Sequence, residues 1–107
     1  MPRQTLTEDI IELIQSIPIG RVSTYGQIAQ MAGNPRAARQ VARILHTCSE
    51  NENLPWWRVV DRTGGIALKS GCGREEQIAL LLGEGIAVDD AVGIDLKHFK
   101  WDGLSRI

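Results

Sequence analysis

Apolar residues recur at helical spacing near the start of the chain, between residues 6 and 17. The apolar positions are Leu6, Ile10, Leu13, Ile14 and Ile17. Thr5 and Glu8 have the spacing of a capping box, in which the threonine side chain receives the backbone N–H three residues later. Pro18 and Gly20 follow the last apolar position and predict the end of this first helix.

Two shorter helices are predicted next, joined by Gly33 and Asn34. Thr24 and Gln27 form a second capping box, which opens a helix that Gly33 closes. Asn34 is a suitable N-cap for a third helix, PRAARQVARILH, with Pro35 at its first position. The expected buried positions of that helix are Ala38, Val41, Ala42 and Leu45, and its exposed arginines are Arg36, Arg39 and Arg43. This pattern predicts a helix-turn-helix, with an ordinary helical hairpin as the alternative.

The second half of the chain alternates between polar loops and short apolar runs. Residues 49–53, SENEN, are expected to form a polar loop. Val59-Val60 and 66–68 flank the turn residues Gly64-Gly65, which predicts a small β-hairpin. The glycine-rich stretch KSGCG, residues 69–73, precedes a final helix from about Arg74 to Gly83.

These elements predict a fold that is mostly α, a small winged-helix-like helix-turn-helix DNA-binding domain with a short β-hairpin. The chain has 107 residues and 43% hydrophobic residues, which suits a single domain over residues 1–107. Phe99 and Trp101 are expected to pack the tail onto this domain. The sequence contains neither an apolar run long enough to span a membrane nor a signal peptide, so a cytoplasmic, nucleoid-associated protein is expected.

The distribution of charge along the chain is more informative about function than the net charge of −1. Residues 13–49 contain no acidic residue, and they carry Arg21, Arg36, Arg39 and Arg43. A protein that binds polyanions needs its positive charge on one face, so this segment favours nucleic-acid binding. Chance clustering of charge is the alternative.

The two cysteines and two histidines do not form a recognisable metal site. Cys48 and Cys72 lie far apart, and of these residues only His46 and Cys48 have ligand spacing. We therefore expect no metal and no cofactor, and we expect reduced thiols.

The order of motifs resembles the DNA-binding domain of the O6-alkylguanine-DNA alkyltransferases. The matching motifs are IPIGRVSTYGQIAQMAG, PRAARQV, PWWRVV, KSG and LLGEG, and the resemblance covers roughly residues 7–86. In that family residues 55–59 would read Pro-Cys-His-Arg-Val, and the cysteine removes the alkyl group from guanine. Here Trp56 stands at the cysteine position and Trp57 at the histidine position.

Tryptophan at the reactive position is similar to the alkyltransferase-like proteins, a branch that typically reads Pro-Trp-His-Arg. An indole cannot form the thiolate that alkyl transfer needs, and with Trp57 the general base is also missing. The resemblance therefore implies a protein that is not an enzyme. Glu84 matches the acid that orients the histidine, so we expect it to have nothing to orient and to be structural. Arg58 is expected to bind backbone carbonyls.

The resemblance also implies how DNA is bound. The helix-turn-helix lies against the minor groove, and the target base is rotated out of the duplex into a pocket. Tyr25 promotes that rotation, and Arg39 is the arginine finger that fills the vacated place. The implied pocket residues are Tyr25, Trp56, Val59, Lys69 and Ser70. The implied contacts to the DNA backbone are Thr24, Arg36, Ala37, Ala38 and Arg43.

The implied partners are duplex DNA containing O6-alkylguanine and nucleotide excision repair proteins, including their damage-recognition ATPase. A monomer that does not bind membranes is expected. The main competing hypothesis is a helix-turn-helix regulator without lesion specificity, which explains the arginines but not PWWRVV. The sequence leaves open two more functions, an active alkyltransferase that uses Cys48 or Cys72 and a degenerate domain that binds only proteins.

Overall fold

Helices dominate the part of the chain that the structure describes, with one pair of short parallel strands between them. The computed structural model describes residues 5–89 and 91–103, and the side chains of residues 48–51 lie outside this description. The helices are α1 (Leu6–Gln15), α2 (Tyr25–Met31), α3 (Ala38–Glu52), α4 (Arg74–Gly83) and α5 (Leu96–Phe99). The strands are β1 (Ser23–Thr24) and β2 (Val59–Val60), and Trp56–Arg58 forms a single 3-10 turn before β2.

Both predicted capping boxes begin a helix. The Thr5 hydroxyl accepts the Glu8 N–H, and the Thr24 hydroxyl accepts the Gln27 N–H at 3.0 Å. Each cap satisfies one of the N–H groups that a helix start leaves without a partner. Helix α1 ends at Gln15, before Pro18, and the Ser16 hydroxyl donates to the Glu12 carbonyl at 2.8 Å.

Helix α3 begins and ends later than predicted. The Asn34 side chain accepts the Arg36 N–H, and its carbonyl accepts the Ala37 N–H. Residues 34–37 therefore form a turn, and the regular helix starts at Ala38. The predicted polar loop over residues 49–53 is wrong, because α3 continues to Glu52. It stops where Asn53 adopts a left-handed backbone with φ 51°.

The buried face of α3 also differs from the prediction. Ala37, Val41 and Ile44 are buried, whereas Ala42 is exposed and Ala38 is half-buried. The inward face follows the spacing 37, 41, 44 because α1 and α2 both pack on that side.

The predicted β-hairpin is wrong, since β2 pairs with β1 in parallel. Ser23 lies opposite Val59, and Thr24 lies opposite Val60. The Asp61 side chain closes a turn by accepting the N–H groups of Thr63 and Gly65, and the Asp61 N–H donates to the Gly65 carbonyl. The pairing stops there, because residues 66–68 form no strand.

After this turn, the backbone of Gly64 pairs with the tail rather than with β2. The Ile94 N–H donates to the Gly64 carbonyl at 2.9 Å. A Cβ at Gly64 would lie 2.2 Å from the Ile94 carbonyl oxygen, so this contact needs glycine. The glycines that suggested a hairpin turn thus allow the backbone of Gly64 to approach the backbone of Ile94 closely.

Strand β2 divides the interior into two apolar clusters. Val59 packs with α1, α2 and α3, and Val60 packs with Leu81 and Ile94, because successive strand residues point to opposite sides. Trp101 is 1% exposed and belongs to the first cluster, so the tail packs onto the domain as predicted. Phe99 packs against the second cluster.

Helix α4 has the bounds that the sequence predicts, Arg74–Gly83, and Gly85 follows with φ +82°. Within residues 5–89 and 91–103, the structure has no helix long and apolar enough to cross a membrane.

Candidate nucleic-acid interface

A cleft of about 510 Å³ lies between α3 and the start of α4. Its walls come from five segments, with Tyr25 from α2, Ala42 and His46 from α3, Trp56 and Val59 around the 3-10 turn, Leu68, Cys72 and Gly73 from the following loop, and Glu76 and Gln77 from α4. Most of this lining is apolar or aromatic, as in pockets that bind flat organic groups.

The parallel strand pair brings Tyr25 and Trp56 to the same cleft. Tyr25 is the first residue of α2 and follows β1 directly, while Trp56 begins the 3-10 turn that leads into β2. Pairing of β1 with β2 therefore places the two aromatic residues at adjacent ends of the strands. Burial, and then the nearby charge of Asp61, raises the pKa of the Tyr25 hydroxyl, so the group is a neutral hydrogen-bond donor at neutral pH.

Three of the five predicted pocket residues, Tyr25, Trp56 and Val59, line this cleft. Lys69 and Ser70 do not line it, and both are exposed. The Cys72 N–H donates to the Lys69 carbonyl, which closes a tight turn. That turn puts Cys72 and Gly73, rather than the KS pair, against the cleft.

A cysteine and a histidine share the cleft, although their positions in the sequence predict no such pairing. Cys72 is an exposed free thiol, and exposed His46 lies on the α3 wall. Both residues reach the same cavity, because α3 and the loop before α4 each form part of its wall. The side chain of Cys48 lies outside the described residues. Within the described residues no group of three or more His, Cys, Asp or Glu side chains could hold a metal ion.

The arginines of the helix-turn-helix lie on a face next to the cleft. Arg36, Arg39 and Arg43 line one shallow groove and are exposed. Arg39 lies three residues before Ala42 and seven before His46, so helical geometry puts it on the same side as these two cleft residues. The positive face and the cleft are therefore continuous across α3.

Of the three small residues predicted to contact the DNA backbone, two are buried and one is half-buried. Thr24 and Ala37 are each 5% exposed, and the Thr24 hydroxyl caps α2. Ala38 is half-buried at the start of α3. The side chains of Thr24 and Ala37 thus belong to the interior, while Ala38 stays at the surface beside Arg39.

Glu84 binds three groups, so the prediction that it has nothing to orient is wrong. Its carboxylate accepts the Trp57 indole N–H at 2.7 Å and the Gly20 N–H at 3.0 Å. It also forms an ion pair with Arg58 at 2.8 Å. Arg58 in turn donates to the Ile17 carbonyl at 2.9 Å, which agrees with its predicted structural role.

The Glu84 carboxylate holds Trp57, and Trp57 supports Trp56. The two indoles meet edge to face, with ring centroids 6.0 Å apart and an interplanar angle of 87°. The Arg58 guanidinium lies 5.4 Å from the centroid of the Trp57 ring, on the face of the indole. The orientation of the Trp56 side chain at the cleft therefore depends on a network that reaches Ile17, after α1, and Glu84, after α4.

The charge of Glu84 predicts a loss of stability in acid. Burial alone would raise the pKa of Glu84, but hydrogen bonds from Arg58, Gly20 and Trp57 and the charge of Arg58 hold it below the ordinary value of 4.5. The unfolded chain then binds more protons in this range, so the stabilisation is present above pH 4.5 and is lost as the pH falls through the lowered pKa. Melting temperatures measured from pH 7 to pH 3 should fall more steeply for the wild type than for Glu84→Gln. Parallel profiles would contradict this.

The sequence and the fold of this chain are both similar to those of known proteins. A sequence model of the family described as "6-O-methylguanine DNA methyltransferase, DNA binding domain" matches residues 5–86. The chain belongs to this family. Within it, the chain is 44% identical over 91 residues to the DNA base-flipping protein of Escherichia coli, covering 85% of this chain and 70% of that protein.

A fungal protein is also similar to this chain in sequence and in fold. The chain is 34% identical over 97 residues to alkyltransferase-like protein 1 of Schizosaccharomyces pombe, covering 86% of this chain and 90% of that protein. The crystal structure of S. pombe Atl1 in complex with damaged DNA containing O6-carboxymethylguanine superposes with a TM-score of 0.82 and 29% identity. It covers 95% of this chain and 99% of that one. The predicted family and the mostly helical fold are thus confirmed.

Proposed function

We propose that this protein is a non-enzymatic sensor of DNA damage that binds O6-alkylguanine in duplex DNA. The observation that carries the proposal is the Trp56 indole on the wall of an apolar cleft, next to the exposed arginines of α3. The names of the relatives, DNA base-flipping protein and alkyltransferase-like protein, support the same conclusion. The similarity of this fold to S. pombe Atl1, whose crystal structure contains damaged DNA with O6-carboxymethylguanine, also supports the proposal.

The lesion is proposed to enter the cleft after rotation out of the duplex. Trp56 and Val59 offer apolar contacts to the alkyl group, and Tyr25 stands at the entrance from α2. Burying one methyl group contributes about 0.8 kcal/mol, or about fourfold in affinity. Rotation of a base costs a few kcal/mol and less where its pairing is already weakened. Weakened pairing of the alkylated base should therefore contribute more to discrimination than the methyl contact does.

Arg39 is proposed to fill the place that the rotated base leaves. A guanidinium plane stacks on neighbouring bases, and its edge donates hydrogen bonds to the orphaned base. Arg36 and Arg43, together with Ala38 at the helix start, are proposed to lie against the sugar-phosphate backbone. Approach through the minor groove is part of this proposal, and the family resemblance supports it.

Alkyl transfer is not part of the proposed function. Neither indole supplies a thiolate, and the Trp57 N–H is a donor that is already bound to Glu84, so it cannot accept a proton. The protein would keep hold of the lesion and present it, as a cytoplasmic monomer, to nucleotide excision repair and its damage-recognition ATPase.

A titration with two duplexes that differ by one O6-methyl group tests the proposal. Fluorescence anisotropy should give a lower Kd for the O6-methylguanine duplex than for the guanine duplex. Both Kd values should rise with salt, because phosphate contacts release counterions. Equal affinity for the two duplexes would leave a general DNA-binding protein.

Trp56→Cys is expected not to restore alkyl transfer, because Trp57 leaves no general base beside the new thiol. The intact mass of the variant should stay unchanged after incubation with an excess of O6-methylguanine duplex. A methyl group on residue 56 would contradict this prediction. The wild-type protein is the matched control, and a methyl group on its Cys72 would instead support an active alkyltransferase, for which the shared cleft of Cys72 and His46 is the supporting observation.

The second candidate is a helix-turn-helix regulator without lesion specificity, which the arginine groove of α3 favours. Such a regulator reads base edges, so its affinity depends on sequence. Selection from a random duplex pool should give a palindromic consensus if this candidate is right. The lesion sensor should give no consensus from undamaged DNA.

A further inference from the structure

One buried polar side chain reaches the lesion cleft. The buried polar or charged residues of the described chain are Ser23, Thr24, Arg58 and Gln77, and of these only Gln77 lines the cleft. Gln77 is 3% exposed and lies in the first turns of α4, where its N–H donates to the Gly73 carbonyl. Of the other polar side chains of the lining, Tyr25 is half-buried, and His46 and Glu76 are exposed.

The amide of Gln77 has a fixed orientation. Its Nε2 donates to the Trp57 carbonyl at 3.1 Å and to the Val59 carbonyl at 3.2 Å. Two carbonyl oxygens on one side require the NH₂ group there, because an amide oxygen in that place would be repelled. The side-chain oxygen Oε1 must therefore point away from these carbonyls.

The Oε1 atom of Gln77 is left as a free acceptor on the cleft side. Among residues 5–89 and 91–103, apart from the side chains of residues 48–51, no group donates a hydrogen bond to Oε1. In this part of the chain every side-chain polar atom that is sealed from solvent has a hydrogen-bond partner, so Oε1 is not sealed from solvent. An atom that has no donor and is not sealed from solvent must reach the open space next to Gln77, which is the cleft. A buried wall thus presents one hydrogen-bond acceptor at a fixed place.

We propose that Gln77 Oε1 accepts a hydrogen bond from the 2-amino group of the rotated guanine, and that Gln77 thereby selects guanine lesions from other alkylated bases. This rests on the proposed function, since it requires the lesion to enter the cleft. Alkylation at O6 removes the hydrogen of N1, and the 2-amino group remains as the donor on that edge of the base. A thymine alkylated at O4 keeps no donor there, so it would leave Oε1 unpaired.

Gln77 would report the identity of the base and not its alkylation, because guanine and O6-alkylguanine share the 2-amino group. Because two carbonyls already hold the Gln77 amide in one orientation, binding of the base costs little further side-chain entropy. This low cost favours a hydrogen bond from the base to Oε1. Gln77 is thus a specificity-determining residue, distinct from the aromatic wall that meets the alkyl group.

The test compares O6-methylguanine with O6-methylhypoxanthine, which differs only by lacking the 2-amino group. Each base is placed opposite an abasic site in the same duplex, so that pairing strength does not differ between the two. Wild-type protein should bind the O6-methylhypoxanthine duplex about 3- to 10-fold more weakly, the effect of one neutral hydrogen bond. In Gln77→Met this ratio should fall to about 1, whatever happens to the absolute affinities.

Ala79→Gln is the matched control, because Ala79 is exposed on the same helix and does not line the cleft. It should keep the wild-type ratio. A ratio that stays the same in Gln77→Met while both affinities fall would overturn the proposal and leave Gln77 as a brace for the cleft wall.

The wild-type comparison needs no variant, so it can overturn the proposal even if Gln77→Met does not fold. Equal binding of the two lesions by wild-type protein would overturn the proposal. Failure of the proposed function gives a different result, namely equal binding of O6-methylguanine and guanine duplexes by the wild type.

Discussion

Glu84→Gln is expected to lower the free energy of unfolding by about 3 kcal/mol, the cost of removing one partner from a buried ion pair. The Arg58 side chain is 8% exposed, so it cannot recover its lost charge partner from water. Glutamine also turns an NH₂ group toward the guanidinium or toward the Trp57 indole N–H, and both of these are donors. The loss should therefore include hydrogen bonds as well as charge.

Urea denaturation followed by tryptophan fluorescence measures this change. Glu76→Gln is the matched control, since it removes an exposed carboxylate from the same helix and should change the free energy of unfolding by less than about 0.5 kcal/mol. A loss below about 1 kcal/mol in Glu84→Gln would mean that the Arg58 pair contributes no more than a surface ion pair.

Arg39→Ala is expected to weaken binding to the O6-methylguanine duplex by about 30-fold, which is the effect of losing a central contact of about 2 kcal/mol. Alanine cannot take the role proposed for Arg39, which is to fill the vacated place in the stack and to bind the orphaned base. Binding to undamaged duplex should change much less, because rotation of a paired guanine is rare. Anisotropy titrations with both duplexes measure the two effects.

Arg36→Ala and Arg43→Ala are the matched controls, because they remove the same charge from the same groove. Each should weaken binding to both duplexes by a similar factor of a few and should lower the salt dependence. If all three variants lost the same affinity, Arg39 would be one phosphate contact among three.

Local signals in the sequence predict the helices well where capping and periodicity agree. Thr5 and Thr24 cap α1 and α2, and α4 runs from Arg74 to Gly83 as its apolar positions indicate. The end of α3 could not be predicted in this way. Polar residues continue a helix when its last turns are solvated, so SENEN contains no reliable stop signal.

Pairing between distant segments is the part of the fold that local patterns miss. The sequence favours a hairpin for Val59-Val60 because the nearest apolar run follows a Gly-Gly turn. Its actual partner, Ser23-Thr24, is only two residues long and lies far back in the chain. A strand this short has no periodicity of its own, so its register depends on the packing of Val59 and Val60 into separate clusters.

The same limit applies to the candidate site. Tyr25, Trp56 and Val59 can be assigned to one pocket through the family resemblance, and they line one cleft. The same resemblance implies Lys69 and Ser70, but the turn that ends at Cys72 directs them to solvent. Gln77 carries no motif, and its role is visible only once its amide is seen between two carbonyls.

The Trp57–Glu84 contact explains why two indoles stand together. A histidine at residue 57 would require Glu84 for its orientation, and the indole N–H uses the same carboxylate in its place. The substitution thus keeps a donor toward Glu84 while it removes a base. The sequence shows that the general base is lost, whereas the hydrogen bond that is kept is visible only in the structure.

A lesion sensor must hold an alkylated guanine without removing its alkyl group. To test this, the complex of the wild-type protein with one equivalent of O6-methylguanine duplex is isolated, and the intact masses of the protein and of both strands are determined. We predict that all three masses are unchanged in a complex that forms at concentrations where the guanine duplex stays free. A protein heavier by one methyl group together with a strand lighter by one would contradict the sensor function.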